Sequence, residues 1–134
     1  MKIIIEQAIA WPSPRNDRMR VLCPFCGYIH LHGYERDACR VPHCVTGPRP
    51  ERAEYHITLL DGRMPADIRD LGNRARVAWN AAWRGKSEVI RREAITDGVL
   101  CAAEARGYIR EALETGHIRP KTSAERAEMA LEMI

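Results

Sequence analysis

The chain has 134 residues, enough for one domain or for one small module joined to a second. Its composition, 46% hydrophobic and 29% charged, is typical of a globular protein, and no apolar run reaches the roughly 18 residues that a membrane-spanning helix needs. The net charge of +3 neither requires nor excludes a nucleic-acid partner.

The N-terminal apolar run is short, is interrupted by Glu6, and is not followed by a cleavage site of small residues. We therefore expect no signal peptide and a cytoplasmic protein. In that reducing compartment the five cysteines argue for a metal site before a disulfide.

The first sixty residues contain short runs that are typical of β-strands. Trp11–Pro14 is rich in proline and predicts a rigid extended loop. The runs on either side of the first cysteine pair resemble the two strands of a hairpin, and a later alternating run is rich in β-branched residues. The predicted strands are Lys2–Ile5, Arg20–Leu22, Tyr28–His32 and Tyr55–Leu59.

The remaining residues are rich in Ala, Arg and Glu and predict helices. Apolar residues recur at helical spacing over Ala66–Arg84. Ser87 can cap a second helix that ends near Thr115, with a break or bend possible at Gly98 or Gly107. Thr122 begins a capping box for a last helix, whose expected docking face is Ala127, Ala130, Leu131 and Ile134.

The strongest motif is Cys23-Pro24-Phe25-Cys26-Gly27. Two thiolates separated by two residues can bind one tetrahedral ion from a single turn, and the glycine lets the chain turn back. A second group of donors, Cys39 to Cys44, follows twelve residues later, so a hairpin can fold it onto the first. We predict one zinc ion in this region.

The cysteines and histidines supply more donors than one zinc ion needs. Because thiolates are soft ligands, we favour Cys23, Cys26, Cys39 and Cys44 as the ligand set. His32 is the main rival of Cys39, and His30 and His43 are further candidates. On an alternating strand His30 and His32 share a face, so one can bind the metal while the other lies behind it or at the surface.

A closed site of four protein ligands would be structural, and its zinc would contribute folding free energy directly. A catalytic zinc would instead need an open position and a nearby general base, for which Glu35 is the nearest candidate. We find no nucleophile paired with a base, no phosphate loop and no spaced pair of carboxylates. We therefore expect no enzyme and assign no catalytic residue.

The motif around the cysteines resembles a family. Cys23, Cys26, Gly27, His30, His32 and Gly33, followed by Arg40, His43, Cys44 and Tyr55, are similar to the pattern CPxCGxxHxHG, then RxxHC, then a strand that contains Tyr. This pattern is found in small uncharacterised zinc-binding-motif proteins of actinobacteria and their phages. The resemblance covers about residues 20–60 and implies metal binding in a phage setting, but no activity. Cys39 departs from the pattern.

One face of the first predicted helix carries arginine and asparagine side chains within about 80° of one another. They are Arg69, Asn73, Arg76, Asn80 and Arg84. Such side chains suit contacts to phosphates and base edges, but a solvated face of an Arg-rich protein would look the same. Trp79 and Trp83, four residues apart, suit core packing or a protein contact.

These observations predict an α+β fold, in which a small antiparallel, zinc-ribbon-like module over residues 1–60 packs on two or three helices over residues 61–134. The favoured function is a phage-type accessory or regulatory protein that binds nucleic acid and uses zinc structurally. The alternative is a module that binds a host or phage protein, and a zinc hydrolase or nuclease is a third option. We expect no membrane partner, and the oligomeric state stays open.

Overall fold

A computed structural model describes residues 3–15, 17–33, 39–40, 44, 50 and 52–134, with Cys39 described by its backbone alone. Within these residues the fold is α+β, as predicted, with all strands before residue 60 and all helices after residue 65. The strands are β1 Ile4–Pro12, β2 Arg18–Leu22, β3 Ile29–Gly33, β4 Cys39–Arg40 and β5 Ala53–Leu59. The helices are α1 Ala66–Arg84, α2 Glu88–Thr115 and α3 Ser123–Glu132.

The strands form one mixed sheet in the order β3-β2-β1-β5-β4, in which β4 is a two-residue edge strand. β1, β2 and β3 form an antiparallel meander, whereas β1 and β5 run parallel, from the pair Ile4–Ala53 to the pair Ala10–Leu59. The prediction of an antiparallel sheet was therefore wrong at this pairing. A parallel pair needs a long connection, and residues 13–52 supply it.

Strand β1 is longer than the sequence pattern predicted and includes Trp11 and Pro12, which we had placed in a loop. Four consecutive side chains, Ala8 to Trp11, are buried. A central strand that is covered on both faces shows a continuous apolar run rather than alternation, which explains why the pattern missed it. Pro12 fits because it is the last residue of the strand.

The helices begin and end close to the predicted positions because their signals are local. The Ser87 side chain accepts a hydrogen bond from the backbone N–H of Ile90 at 3.2 Å, and Gly116 ends α2 in the left-handed conformation. Thr122 and Glu125 form the predicted capping box. None of the helices in the described residues is long and apolar enough to cross a membrane.

Helix α2 runs without a break through Gly98 and Gly107, contrary to our expectation of a bend. Both glycines instead make room for a neighbouring side chain. A Cβ at Gly98 would lie 2.5 Å from the Trp79 ring of α1, and one at Gly107 would lie 2.4 Å from Met129 of α3. The two glycines therefore serve close packing of the three helices.

Helix α3 docks through a different side from the one that we predicted. Ala130 is buried, but Leu131 is 67% and Ile134 is 71% exposed. Buried Glu104 of α2 accepts hydrogen bonds from Arg126 of α3 at 3.1 Å and from Arg74 of α1 at 2.7 Å. This ion-paired network, together with the contact of Met129 with Gly107, fixes the rotation of α3 and leaves Leu131 exposed.

A single hydrophobic core includes residues of the sheet and of the helices. It contains Ile9 and Tyr55 of the sheet, Leu71 and Trp79 of α1, and Tyr108 of α2, and also two cysteines, Cys23 and Cys26. The cysteine turn is therefore packed between sheet and helices rather than projecting from the sheet edge.

Candidate metal centre

The segment Cys23–Gly27, which we call the knuckle, forms a tight turn between β2 and β3. The backbone N–H of Gly27 donates to the carbonyl of Cys23 at 2.9 Å. The N–H of Phe25 donates to the Cys23 sulfur at 3.4 Å. Gly27 has φ +78, a conformation that side chains disfavour, so the glycine after the second cysteine is needed for the turn.

Four side chains meet beside the knuckle. The sulfurs of Cys23, Cys26 and Cys44 and a ring nitrogen of His30 all lie within 4.8 Å of one another. Cys23 and Cys44 are separated by 3.5 Å between sulfurs, and the His30 Nε2 lies 3.3 Å from the Cys26 sulfur and 3.8 Å from the Cys44 sulfur.

These distances suit a tetrahedral zinc ion. Zinc bonds of about 2.3 Å to sulfur and about 2.0 Å to nitrogen place two sulfurs about 3.8 Å apart and a sulfur and a nitrogen about 3.6 Å apart. The sulfur–sulfur separation of 3.5 Å is slightly shorter than the first value, and the two sulfur–nitrogen separations, 3.3 and 3.8 Å, lie on either side of the second. The four side chains can therefore hold one metal ion in a Cys3His site without rearrangement of the backbone.

The acid–base properties of the cluster also suit a cation. Burial raises the pKa of the Cys23 thiol to about 12, and the hydrogen bond with Cys23 raises the pKa of Cys26. The hydrogen bond from Cys23 lowers the pKa of Cys44, so a negative charge is stabilised at the least buried sulfur. A divalent cation would balance this charge and allow the other two thiols to lose their protons.

The structure brings together Cys23, Cys26 and Cys44 of the predicted ligand set. The side chain of Cys39 and the residues His43 and Glu35 lie outside the described residues. In the part of the chain that the structure describes, the donor that accompanies the three cysteines is His30, which we had named only as a further candidate. His30 follows Cys26 by four residues at the start of β3, and this short spacing is the signal that could have favoured it.

His32 is buried beside His30 on the same face of β3, as the alternation predicted. It does not belong to the four-residue cluster. Its Nε2 instead forms a hydrogen bond with the hydroxyl of Tyr55 on β5, and the two rings meet edge to face. His32 thus joins the meander to β5 across the sheet.

Both helices of the α1–α2 pair hold the knuckle in place. The indole N–H of Trp79 on α1 donates to the carbonyl of Cys26 at 2.7 Å. The guanidinium of Arg106 on α2 donates to the carbonyl of Pro24 at 3.0 Å. These carbonyls would otherwise be buried without partners, so the helices complete the hydrogen bonding of the turn.

The predicted Arg/Asn face is exposed along α1: Arg69, Asn73, Arg76 and Arg84 are exposed and Asn80 is half-buried. Within the described residues the side chains of Arg69, Arg76 and Arg84 make no hydrogen bond or ion pair. Arg74, which lies on another side of the same helix, is paired with Asp70 and Glu104. On α1, the arginine that forms ion pairs within the fold therefore lies on a different side from the exposed arginines that have no acidic partner among the described residues, which we call the uncompensated arginines.

Comparison of the chain with models of protein families, with curated proteins and with solved structures found no match.

Proposed function

We propose that the chain binds one structural zinc ion through Cys23, Cys26, His30 and Cys44. The observation that carries the proposal is that the ligand atoms of these four residues all lie within 4.8 Å of one another. A hairpin whose turn holds two ligands, joined by a third cysteine from a separate segment, gives the N-terminal part a zinc-ribbon-like organisation. Four protein ligands would fill the coordination sphere of zinc, which favours a structural role over a hydrolase or nuclease.

The test of the zinc site is metal quantification together with native mass spectrometry of the protein purified without added metal. We expect one zinc per chain, released together with unfolding when a strong chelator is added. A chain that folds fully without metal, or that holds iron in place of zinc, would contradict the proposal.

We further propose that the zinc-stabilised fold presents the Arg/Asn face of α1 to nucleic acid. The support is the exposure of Arg69, Arg76 and Arg84 without acidic partners in the described residues. Three guanidinium groups along one helix face can contact successive phosphates, and the asparagines between them can reach base edges. The resemblance to phage and actinobacterial proteins adds the expectation of an accessory or regulatory role in a phage setting.

Binding to nucleic acid should weaken steeply with salt, because phosphate contacts release counterions. With three phosphate contacts to single-stranded DNA, the logarithm of the association constant should fall with a slope of about −2 against the logarithm of salt concentration. Reversing Arg69, Arg76 and Arg84 to Glu should abolish binding.

The matched control reverses Arg92, Arg110 and Arg119, which are exposed on other surfaces and form surface ion pairs. This variant has the same change in net charge and should lose little stability. If both triple variants weaken binding equally, the interaction depends on net charge and the assignment of the face is wrong.

A protein partner is the second candidate, favoured by an apolar groove between α1, α2 and α3. The groove has a volume of about 1010 Å³, and its lining includes Val77, Ile90 and Leu131, each of which is more than half exposed. Ile90 lines this groove from α2. Replacing Leu131 with Glu should abolish such an interaction without affecting binding to nucleic acid.

A further inference from the structure

Trp83 is the most exposed large hydrophobic side chain among the described residues, with 74% of its surface accessible, whereas Trp11 and Trp79 are 2% and 4% exposed. At about 100° per residue, Trp83 lies about 20° around the axis of α1 from Arg76 and nearly two turns beyond it. An exposed indole ring therefore sits beside the uncompensated arginines of the proposed nucleic-acid face.

The N-terminal half of α1 borders a small cleft of about 290 Å³ against the β1–β2 turn and β3. Its polar lining includes Arg15, Arg20, Tyr28, Arg69 and Asn73. The described residues that line the cleft include no acidic side chain, and none of these three arginines has an ion pair among the described residues. Three guanidinium groups around one concave site make it suitable for an anion such as a phosphate.

The cleft and Trp83 lie on the same side of α1. Arg69 and Asn73 line the cleft, and Trp83 follows Arg69 by fourteen residues, which is about 21 Å along the helix. Arg76 lies between them on this side. A basic track with an aromatic side chain is the arrangement with which proteins bind single strands, because every base has a face that can stack.

We propose that this side of α1 binds single-stranded nucleic acid, with a phosphate held in the cleft and a base stacked on Trp83. The inference rests on the proposed binding of nucleic acid by α1 and specifies the form of the ligand. A duplex keeps its bases paired and stacked, so a base would first have to leave the stack before it could pack on Trp83. The volume of the cleft is at the lower end of the range for ligand pockets. It suits one nucleotide and is too small to hold a duplex.

The test uses the zinc-loaded full chain with four probes: a 12-nucleotide DNA, the RNA of the same sequence, the DNA duplex and inorganic polyphosphate. Trp11 and Trp79 are buried, so quenching of tryptophan emission reports on Trp83. We expect both single strands to quench the emission and the duplex to bind more weakly. Affinity is measured separately by the fluorescence anisotropy of labelled oligonucleotides.

Replacing Trp83 with Ala should weaken binding of the single strands by about 10- to 100-fold, as expected for the loss of one stacked base. It should leave the affinity for polyphosphate unchanged. Val77→Ala is the matched control, because Val77 is also exposed on α1, at 61%, but does not lie on this side of the helix. Arg15→Gln and Arg20→Gln should each weaken binding and make it less sensitive to salt.

Equal affinity for single strand and duplex, or a Trp83→Ala variant that binds like the unmodified protein, would overturn the inference and leave the proposed nucleic-acid binding intact. If polyphosphate displaces a labelled oligonucleotide as well as the unlabelled single strand does, charge alone is recognised. That result would also overturn the inference and leave the proposed nucleic-acid binding intact. Failure of every nucleic-acid probe would instead overturn the proposed nucleic-acid function and this inference with it.

Discussion

His30 completes the group of four donors among the described residues. We predict that His30→Ala lowers the zinc content from one ion per chain to a small fraction and destabilises the fold by more than about 4 kcal/mol, since loss of a metal is among the largest effects of a single substitution. Cys44→Ser should behave in the same way. Zinc per chain and the free energy of unfolding are the measurements.

The controls are substitutions of cysteines and histidines other than the four proposed ligands. Cys39→Ser and His32→Gln should retain one zinc per chain, although His32→Gln loses the hydrogen bond with Tyr55. Cys101→Ala should also retain it, because Cys101 lies in the core and is not one of the four donors. Loss of zinc from Cys39→Ser together with its retention in His30→Ala would restore the all-cysteine site that softness favoured.

Tyr108 provides a prediction on pH. Its side chain is fully buried, its hydroxyl donates to Asp67 at 3.2 Å, and burial raises its pKa above the ordinary value of 10. Above pH 10 the unfolded chain loses this proton while the folded chain keeps it, so the free energy of unfolding falls by up to about 1.4 kcal/mol per pH unit. In Tyr108→Phe, denaturant titrations between pH 9 and 11 should show a shallower slope, and the difference should grow towards this value as the pH approaches 11.

The site illustrates which features of single residues a sequence can predict. The knuckle was predicted because its two cysteines, its turn and its glycine lie within five consecutive residues. Cys44 was predicted as well, but the choice among the histidines was not, because their positions relative to the knuckle depend on the pairing of β3 with β2. The position of His30 on β3 brings its ring nitrogen to within 3.3 Å of the Cys26 sulfur and 3.8 Å of the Cys44 sulfur.

At the scale of elements, the knuckle and α2 approach each other so closely that only glycine fits between them. A Cβ at Gly27 would lie 2.9 Å from the backbone carbonyl carbon and oxygen of Cys101. We predict that Gly27→Ala destabilises the fold by more than about 3 kcal/mol, because backbone strain at positive φ adds to a clash with a helix that cannot move alone. Thermal or denaturant unfolding measures the effect.

Gly62 is the matched control, because its φ is +83 but nothing lies within 4 Å of a Cβ at that position. Gly62→Ala should cost only the conformational strain, about 1 kcal/mol. If the two variants are equally stable, the approach of the knuckle to α2 does not constrain the fold.

Elements that are specified locally could be predicted, and elements that depend on distant partners could not. The three helices follow from apolar spacing and from the caps at Ser87 and Thr122. The parallel pairing of β1 with β5 and the packing side of α3 depend on contacts between residues far apart in the chain, such as Arg126 with Glu104. Neither the strand pairing nor the packing side of α3 produces a periodic pattern in the sequence.

At the scale of the whole molecule, one core includes the knuckle, the sheet and the helices. Removal of zinc should therefore unfold more than the N-terminal part. We predict that a chelator causes a single transition in which helical circular dichroism at 222 nm and the fluorescence of buried Trp79 change together. Chelation that leaves the helical signal intact would show that α1–α3 fold independently of the site.

The parallel pairing of β1 with β5 has a kinetic consequence. Ile4 pairs with Ala53, so the chain must close a loop of nearly fifty residues before this pair forms, and such non-local contacts slow folding. Cys23 directly follows β2, and Cys44 precedes β5 by only nine residues. A metal ion that binds these two cysteines early in folding would shorten the loop that remains to be closed. Zinc would then speed the pairing of β1 with β5 as well as stabilise the folded protein.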